Sequence, residues 1–154
     1  MGDSESGGTP KRSARSSTTG KGSEPEPGTG TFIFVDGAKY VGEYIAVQGK
    51  RLRHGKGQFT DGPEAYDGEW ANDAMEGQGK YTFASGALYN GSFKANKFDG
   101  EGNYKWADGA SYKGGWRENK MHGKGMYIDT DNVRWKGNFH NGKFFNGKSF
   151  VLLR

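Results

Sequence analysis

The groups that could do chemistry in this sequence are three histidines, a scatter of carboxylates and, beyond the first 27 residues, five Gly-x-Gly pairs. The pairs begin at Gly28, Gly55, Gly77, Gly100 and Gly123. None is followed by a third glycine at dinucleotide spacing and none opens a helical pattern, so a phosphate cradle is not indicated. His54 and His122 stand immediately before a repeated glycine, in a slot that Glu76 and Asp99 fill elsewhere. A position that accepts either charge reads as a solvated rim rather than a metal site; His140 falls outside the slot. Asp67 and Glu69 alternate with apolar residues and have no partner for acid–base work. With no cysteine, thiolate nucleophiles, disulfides and thiolate metal sites are excluded. The expectation is a protein without catalysis, cofactor or metal.

What remains is aromatic. The chain has eight Tyr, ten Phe and four Trp, none of them in the first 27 residues. They fall in register. Tyr66, Tyr89, Tyr112 and Trp135 recur every 23 residues; Gly68, Gly91, Gly114 and Gly137 follow two positions later, and Trp70, Phe93, Trp116 and Phe139 two after that. A fixed period of this length marks a repeat architecture.

The alternation inside each copy predicts strands. Tyr66, Gly68 and Trp70 share one face; Gly77, Gly79, Tyr81 and Phe83 share another strand's face. Asn72, Asn96, Asn119 and Asn141 mark the loop within a copy. Asp36-Gly37, Asp61-Gly62, Ser85-Gly86, Asp108-Gly109 and Asp131-Asn132 mark the link between copies, supplying the positive φ of tight turns. Strand glycines are costly unless something packs on the bare backbone. The reading is therefore that each ring lies over glycines of the next strand, with Met75, Phe98, Met121 and Phe144 along one rim of the aromatic face. About eleven antiparallel strands at ~4.8 Å each would make an all-β, elongated single sheet roughly 50 Å across.

Domain limits follow. Residues 1–27 are Ser, Gly, Pro and charge, and predict a disordered tail. Ser13, Ser16 and Ser17 lie among basic residues, either a kinase target or simply a solubilising segment. A half repeat covers 28–39, an irregular copy 40–65, regular copies 66–88, 89–111 and 112–134, and a partial copy with a cap 135–154. About four extra residues between Ile45 and His54 should enlarge one hairpin loop. Phe150, Val151, Leu152 and Leu153 should close the end of the stack.

The motif Tyr-x-Gly-x-aromatic followed by Gly-x-Gly-x-aromatic resembles the MORN repeat (membrane occupation and recognition nexus), over roughly residues 28 to 154. The resemblance implies a hairpin array. Enzymes of the family carry separate catalytic domains, and short chains made almost only of these repeats are similar to scaffold components of cilia and flagella. The expected function is a non-enzymatic interaction module. Its aromatic groove would hold a peptide or helix of a cytoskeletal assembly such as an axoneme. Expected contacts are Tyr66, Trp70, Tyr89, Phe93, Tyr112, Trp116 and Trp135, with Phe98 and Met121 on the rim.

The alternative is a peripheral membrane or phosphoinositide adaptor. Gly2 precedes a start resembling a myristoylation site, although Asp3 is unusual there. Lys50, Arg51, Arg53, Lys56, Lys120 and Lys124 could touch anionic lipid weakly, or serve solubility. The formal charge is +4, from 22 basic and 18 acidic side chains, too mild for a nucleic-acid stripe. Unpaired terminal strands offer edge-to-edge self-association. No secretory leader or membrane span is read, so the expected location is intracellular, cytoplasmic and cytoskeleton-associated.

Overall fold

The computed structural model describes residues 23–154. The tail expectation for residues 1–22, with its serines, lies outside the described residues. Among these, all regular structure is β: β1 (Glu26–Ile33), β2 (Lys39–Val47), β3 (Lys50–Asp61), β4 (Glu64–Ala71), β5 (Ala74–Thr82), β6 (Leu88–Lys94), β7 (Lys97–Lys105), β8 (Ser111–Arg117), β9 (Lys120–Ile128), β10 (Arg134–His140), β11 (Lys143–Phe145) and β12 (Phe150–Val151). They form one open antiparallel sheet in which chain order is sheet order. The twelfth strand, one more than expected, arises because the terminal cap returns as β12 against β11. The first begins at Glu26, two residues ahead of the expected limit, and its Pro27 sits on the sheet's free edge, where a missing N–H costs nothing.

Two turn types alternate. Within copies, both central residues have positive φ: 48° and 71° at Asn72 and Asp73, 47° and 67° at Ala95 and Asn96, 46° and 70° at Glu118 and Asn119. This is the mirror-image turn that matches strand twist. Between copies, a short acceptor side chain holds the backbone. The Asp36, Ser85 and Asp108 side chains accept the N–H two residues on, from Ala38, Ala87 and Ala110.

The extra residues near Ile45 do not enlarge a loop. They lengthen both arms of the β2–β3 hairpin, pairing Ile45 with Leu52 and Ala46 with Arg51 around a tight Gln48-Gly49 turn. The insertion divides evenly between two facing strands, so it propagates the ladder instead of looping out. The longer arm also receives the start of β1, where Glu26 pairs with Ala46 and Pro27 with Ile45.

The four hairpins β2–β3, β4–β5, β6–β7 and β8–β9 each carry a bulge. Gly68 pairs with Gly79 and Trp70 with Met75, so three residues of β5 oppose the single Glu69. Gly77 takes φ 90° there, and the Glu69 carboxylate accepts the Gln78 N–H, which satisfies the freed amide. Asp67 accepts from the Gln58 amide at 3.0 Å. Both carboxylates are thus engaged structurally.

The core is a single aromatic layer. Tyr40, Tyr66, Tyr89 and Tyr112 are fully buried in it. Tyr66 lies over Gly79: a Cβ there would run into its hydroxyl and ring carbons, and Tyr40, Tyr89 and Tyr112 cover Gly57, Gly102 and Gly125 the same way. The phenol then donates forward along its own strand, to the Glu69 carbonyl at 2.7 Å, with Tyr89 to Ser92 and Tyr112 to Gly115 following suit. Neighbouring rings meet edge to face in an unbroken zigzag: Tyr66 lies 5.0 Å from Trp70 and 4.9 Å from Phe93, Tyr89 5.1 Å from Phe93 and 5.5 Å from Trp116. Such offsets suit the ring quadrupoles.

Candidate functional site: an open aromatic groove

Outside the zigzag, two of the strands that carry the Gly-x-Gly-x-aromatic pattern, β5 and β7, each add two more rings to the same face. Tyr81 and Phe83 come from the end of β5, Tyr104 and Trp106 from the end of β7. These are half-buried, because no second layer of the chain packs on them. Phe83 lies 5.6 Å from Tyr104, and Tyr104 4.6 Å from Trp106. With Met75, Phe98, Trp116 and Met121 they line a groove of about 680 Å³. Asn96, Asn119 and Lys120 stand at its turn-side margin, and Leu152 and Arg154 at its C-terminal end.

The nine residues singled out in the sequence divide here. Phe98, Trp116 and Met121 line the groove. Met121 does so from a buried position rather than from a rim. Tyr66, Tyr89 and Tyr112 are wholly covered by the sheet's own packing, and Trp70 and Phe93 nearly so. Trp135 is partly buried beyond the groove, 5.9 Å from Phe144. Tyr81, Phe83, Tyr104, Trp106 and Arg154 belong to the groove and were not singled out. The signal for the rings was present, since Tyr81 and Phe83 alternate on one face.

The ladder Met75, Phe98, Met121, Phe144 begins one copy earlier, with Arg53. Arg53 faces Tyr44 as Met75 faces Trp70. Its guanidinium lies 4.3 Å over the Trp70 ring and binds the Asp73 carboxylate at 2.6 Å. At the other end Arg154 repeats this chemistry. It lies 4.4 Å over Trp106, binds Asp108 at 2.8 Å and approaches the Tyr127 hydroxyl at 3.4 Å. Leu153 packs on the core beside it. The end of the chain thus turns back onto the aromatic face. Phe150 and Leu152, expected to close the stack, stay exposed.

The turn-side margin is tied copy to copy. The Met75 N–H donates to the Asn96 side chain at 2.8 Å while the Asn96 N–H donates to the Met75 carbonyl at 3.1 Å. Phe98 and Asn119 repeat the pair at 2.9 and 3.0 Å. The slot of His54, Glu76, Asp99 and His122 has a purpose in this margin. His54 Nδ1 accepts from Asn72, Glu76 from Ala95, and Asp99 from Glu118. His122 Nδ1 is buried without a partner, its ring 5.1 Å from that of His140. No group of three or more metal-ligating side chains occurs among the described residues.

Burial holds the phenols of Tyr66, Tyr89 and Tyr112 well above their usual 10.0. Tyr81 is pushed up to about 12, by burial and then by its hydrogen bond to Glu64. The Arg154 hydrogen bond, followed by the Ala110 amide, holds the Asp108 carboxyl below its ordinary range.

A one-layer sheet of consecutive hairpins, with a covered ring zigzag and an open ring groove, defines a β-hairpin repeat protein. The MORN repeat model matches residues 52–62, 66–88, 89–111 and 112–134. The chain belongs to the MORN repeat family, whose members are generally non-enzymatic and serve as protein-interaction or membrane-binding modules. A comparison with curated proteins finds no match.

Proposed function

We propose that the chain is a non-enzymatic docking module whose open groove takes a peptide or helix of a larger assembly. The observation that carries this reading is the set of half-exposed rings Tyr81, Phe83, Tyr104 and Trp106, beside Phe98, on the uncovered side of a single layer. A contiguous apolar groove with a polar margin is how a monomeric surface accommodates a partner. The assembly we have in mind is cytoskeletal, of the ciliary or flagellar axoneme type, with a cytoplasmic location. That choice rests on the likeness to short chains made of these repeats. Proximity labelling in a ciliated cell tests it, comparing wild type with a Phe83→Ala/Tyr104→Ala variant shown by circular dichroism to fold. Axonemal neighbours recovered by wild type and lost by the variant support the reading. An unchanged set of neighbours sinks it.

One observation favours a membrane adaptor as the second reading. Residues 105–154 carry ten basic side chains against four acidic ones, so the surplus charge lies in this last third of the chain. On the face opposite the groove, Lys113, Lys124 and Lys136 lie about Met126, with Glu101 the one carboxylate in the same depression. Basic side chains around an apolar one suit an anionic surface at low salt. Sedimentation with phosphatidylserine vesicles at two salt concentrations, abolished by Lys113→Gln/Lys136→Gln and not by the groove variant, would make this the function instead.

A further inference from the structure

We infer that Trp106, Asp108 and Tyr127 form an arginine-binding subsite, which the chain fills in cis with Arg154 so that residues 152–154 plug one end of the groove. The inference rests on the groove being the docking surface, and it names the chemistry that surface selects. An indole face, a carboxylate and a phenol oxygen converge on one guanidinium, at 4.4, 2.8 and 3.4 Å. A planar fork that can stack and pair at once is arginine's property and not lysine's.

This combination occurs in one copy only among the described residues. The equivalent positions in the preceding copy are Phe83, Ser85 and Tyr104, which offer rings without a carboxylate; in the following copy a carboxylate, Asp129, replaces the indole. The site is therefore not a by-product of the repeat. Arg53 shows that the fold uses the same chemistry when it wants a permanent bond: that arginine sits inside β3, fixed by its ladder pairing to Tyr44. Arg154 is held differently. It follows the end of β12 at Val151, lies 46 residues from Asp108, and makes its contacts from outside any strand. An ion pair and a cation–π contact at a half-exposed position are each weak, so the segment exchanges with solvent. Leu153 packs on the core beside the groove, and Leu152 borders the groove while staying exposed to solvent. The internal ligand thus reads as apolar–apolar–arginine, and the partner that displaces it is a peptide presenting an arginine beside aliphatic side chains.

A fluorescent hexapeptide copying residues 149–154 is the probe, titrated against full-length wild type, Arg154→Ala and Arg154→Lys. A tethered segment competes at a millimolar effective concentration, so the peptide should bind Arg154→Ala about tenfold more tightly than wild type. Arg154→Lys should behave like Arg154→Ala, a peptide ending in lysine should bind both more weakly than the arginine peptide, and adding Asp108→Asn to Arg154→Ala should weaken peptide binding several-fold. Equal binding to wild type and Arg154→Ala, or no binding to Arg154→Ala, overturns the proposal. The docking reading is tested separately. If Phe83→Ala/Tyr104→Ala loses cellular neighbours while Arg154→Ala changes neither neighbours nor peptide affinity, the plug is wrong and the groove stands.

Discussion

The ring of Phe98 stacks on that of Tyr89 with centroids 3.8 Å apart and planes 10° from parallel, whereas their neighbours meet at steep angles. Tyr89 belongs to the buried zigzag and Phe98 to the groove lining, so this pair joins the sheet's core to its surface.

Phe98→Ala should therefore be costly for a residue that is not fully buried, about 2–3 kcal/mol. Phe98→Met should cost under about 1.5 kcal/mol, because Met75 and Met121 already fill the same rung and the volume is nearly conserved. Urea denaturation of the two variants checks both values. Equal losses would mean that the flat ring, rather than filled volume, is what this rung requires.

Gly102→Ala and Gly109→Ala should separate close approach from backbone strain. At Gly102 a Cβ would enter the Tyr89 ring, although the backbone there is ordinary; at Gly109 nothing lies within 4 Å, but φ is +95°. The first is expected to cost about 3 kcal/mol by overpacking, the second about 1–2 kcal/mol by strain. Thermal melts would show the order, and a reversal would contradict the ring-over-glycine packing.

His122→Glu should stabilise the protein. Glu76 in the same slot accepts the Ala95 turn N–H at 2.9 Å, while His122 Nδ1 is buried with no partner. Satisfying that slot is expected to gain about 1 kcal/mol, a rise of about 3 °C in Tm. A lower Tm would show that histidine is needed beside His140.

Alkaline pH should weaken the fold. The phenols of Tyr66, Tyr89 and Tyr112 are harder to ionise folded than unfolded because they are buried, and that of Tyr81 is pushed up to about 12. A raised folded value means that their contribution is whole below the unfolded value of 10.0 and is lost as pH rises past it. The urea midpoint should be flat from about pH 7 to pH 9 and fall steeply above about pH 10. Glu64→Gln should lower the Tyr81 transition, read by phenolate absorbance.

Much of this fold was legible because its causes are local. The 23-residue phase, the alternation of Tyr66, Gly68 and Trp70, and the turn pairs at Ser85-Gly86 and Asp108-Gly109 each specify a strand or a bend by themselves. The β2–β3 hairpin shows where local reading stops. Tyr44 to Val47 and Lys50 to Arg53 look like surplus until they are paired, and only pairing reveals Gln48-Gly49 as the turn and Arg53 as the first rung of the ladder. The site was less legible than the sheet. Tyr66 and Phe83 are both rings on one face, and sequence alone does not tell which the neighbouring strands cover. The return of Arg154 to Asp108 depends on a contact across 46 residues, with no periodicity to announce it.

Strand order equals chain order throughout, and this has a mechanical consequence. Tension between the two ends of the sheet acts across the strands, so the ladder bonds load one pair at a time rather than together in shear. An outer hairpin would peel while the inner ones keep their rings over their glycines. Each released copy of 23 residues would lengthen the chain by about 75 Å. Pulled on within an assembly, the molecule would yield in steps of one repeat, the copies beyond the break still folded.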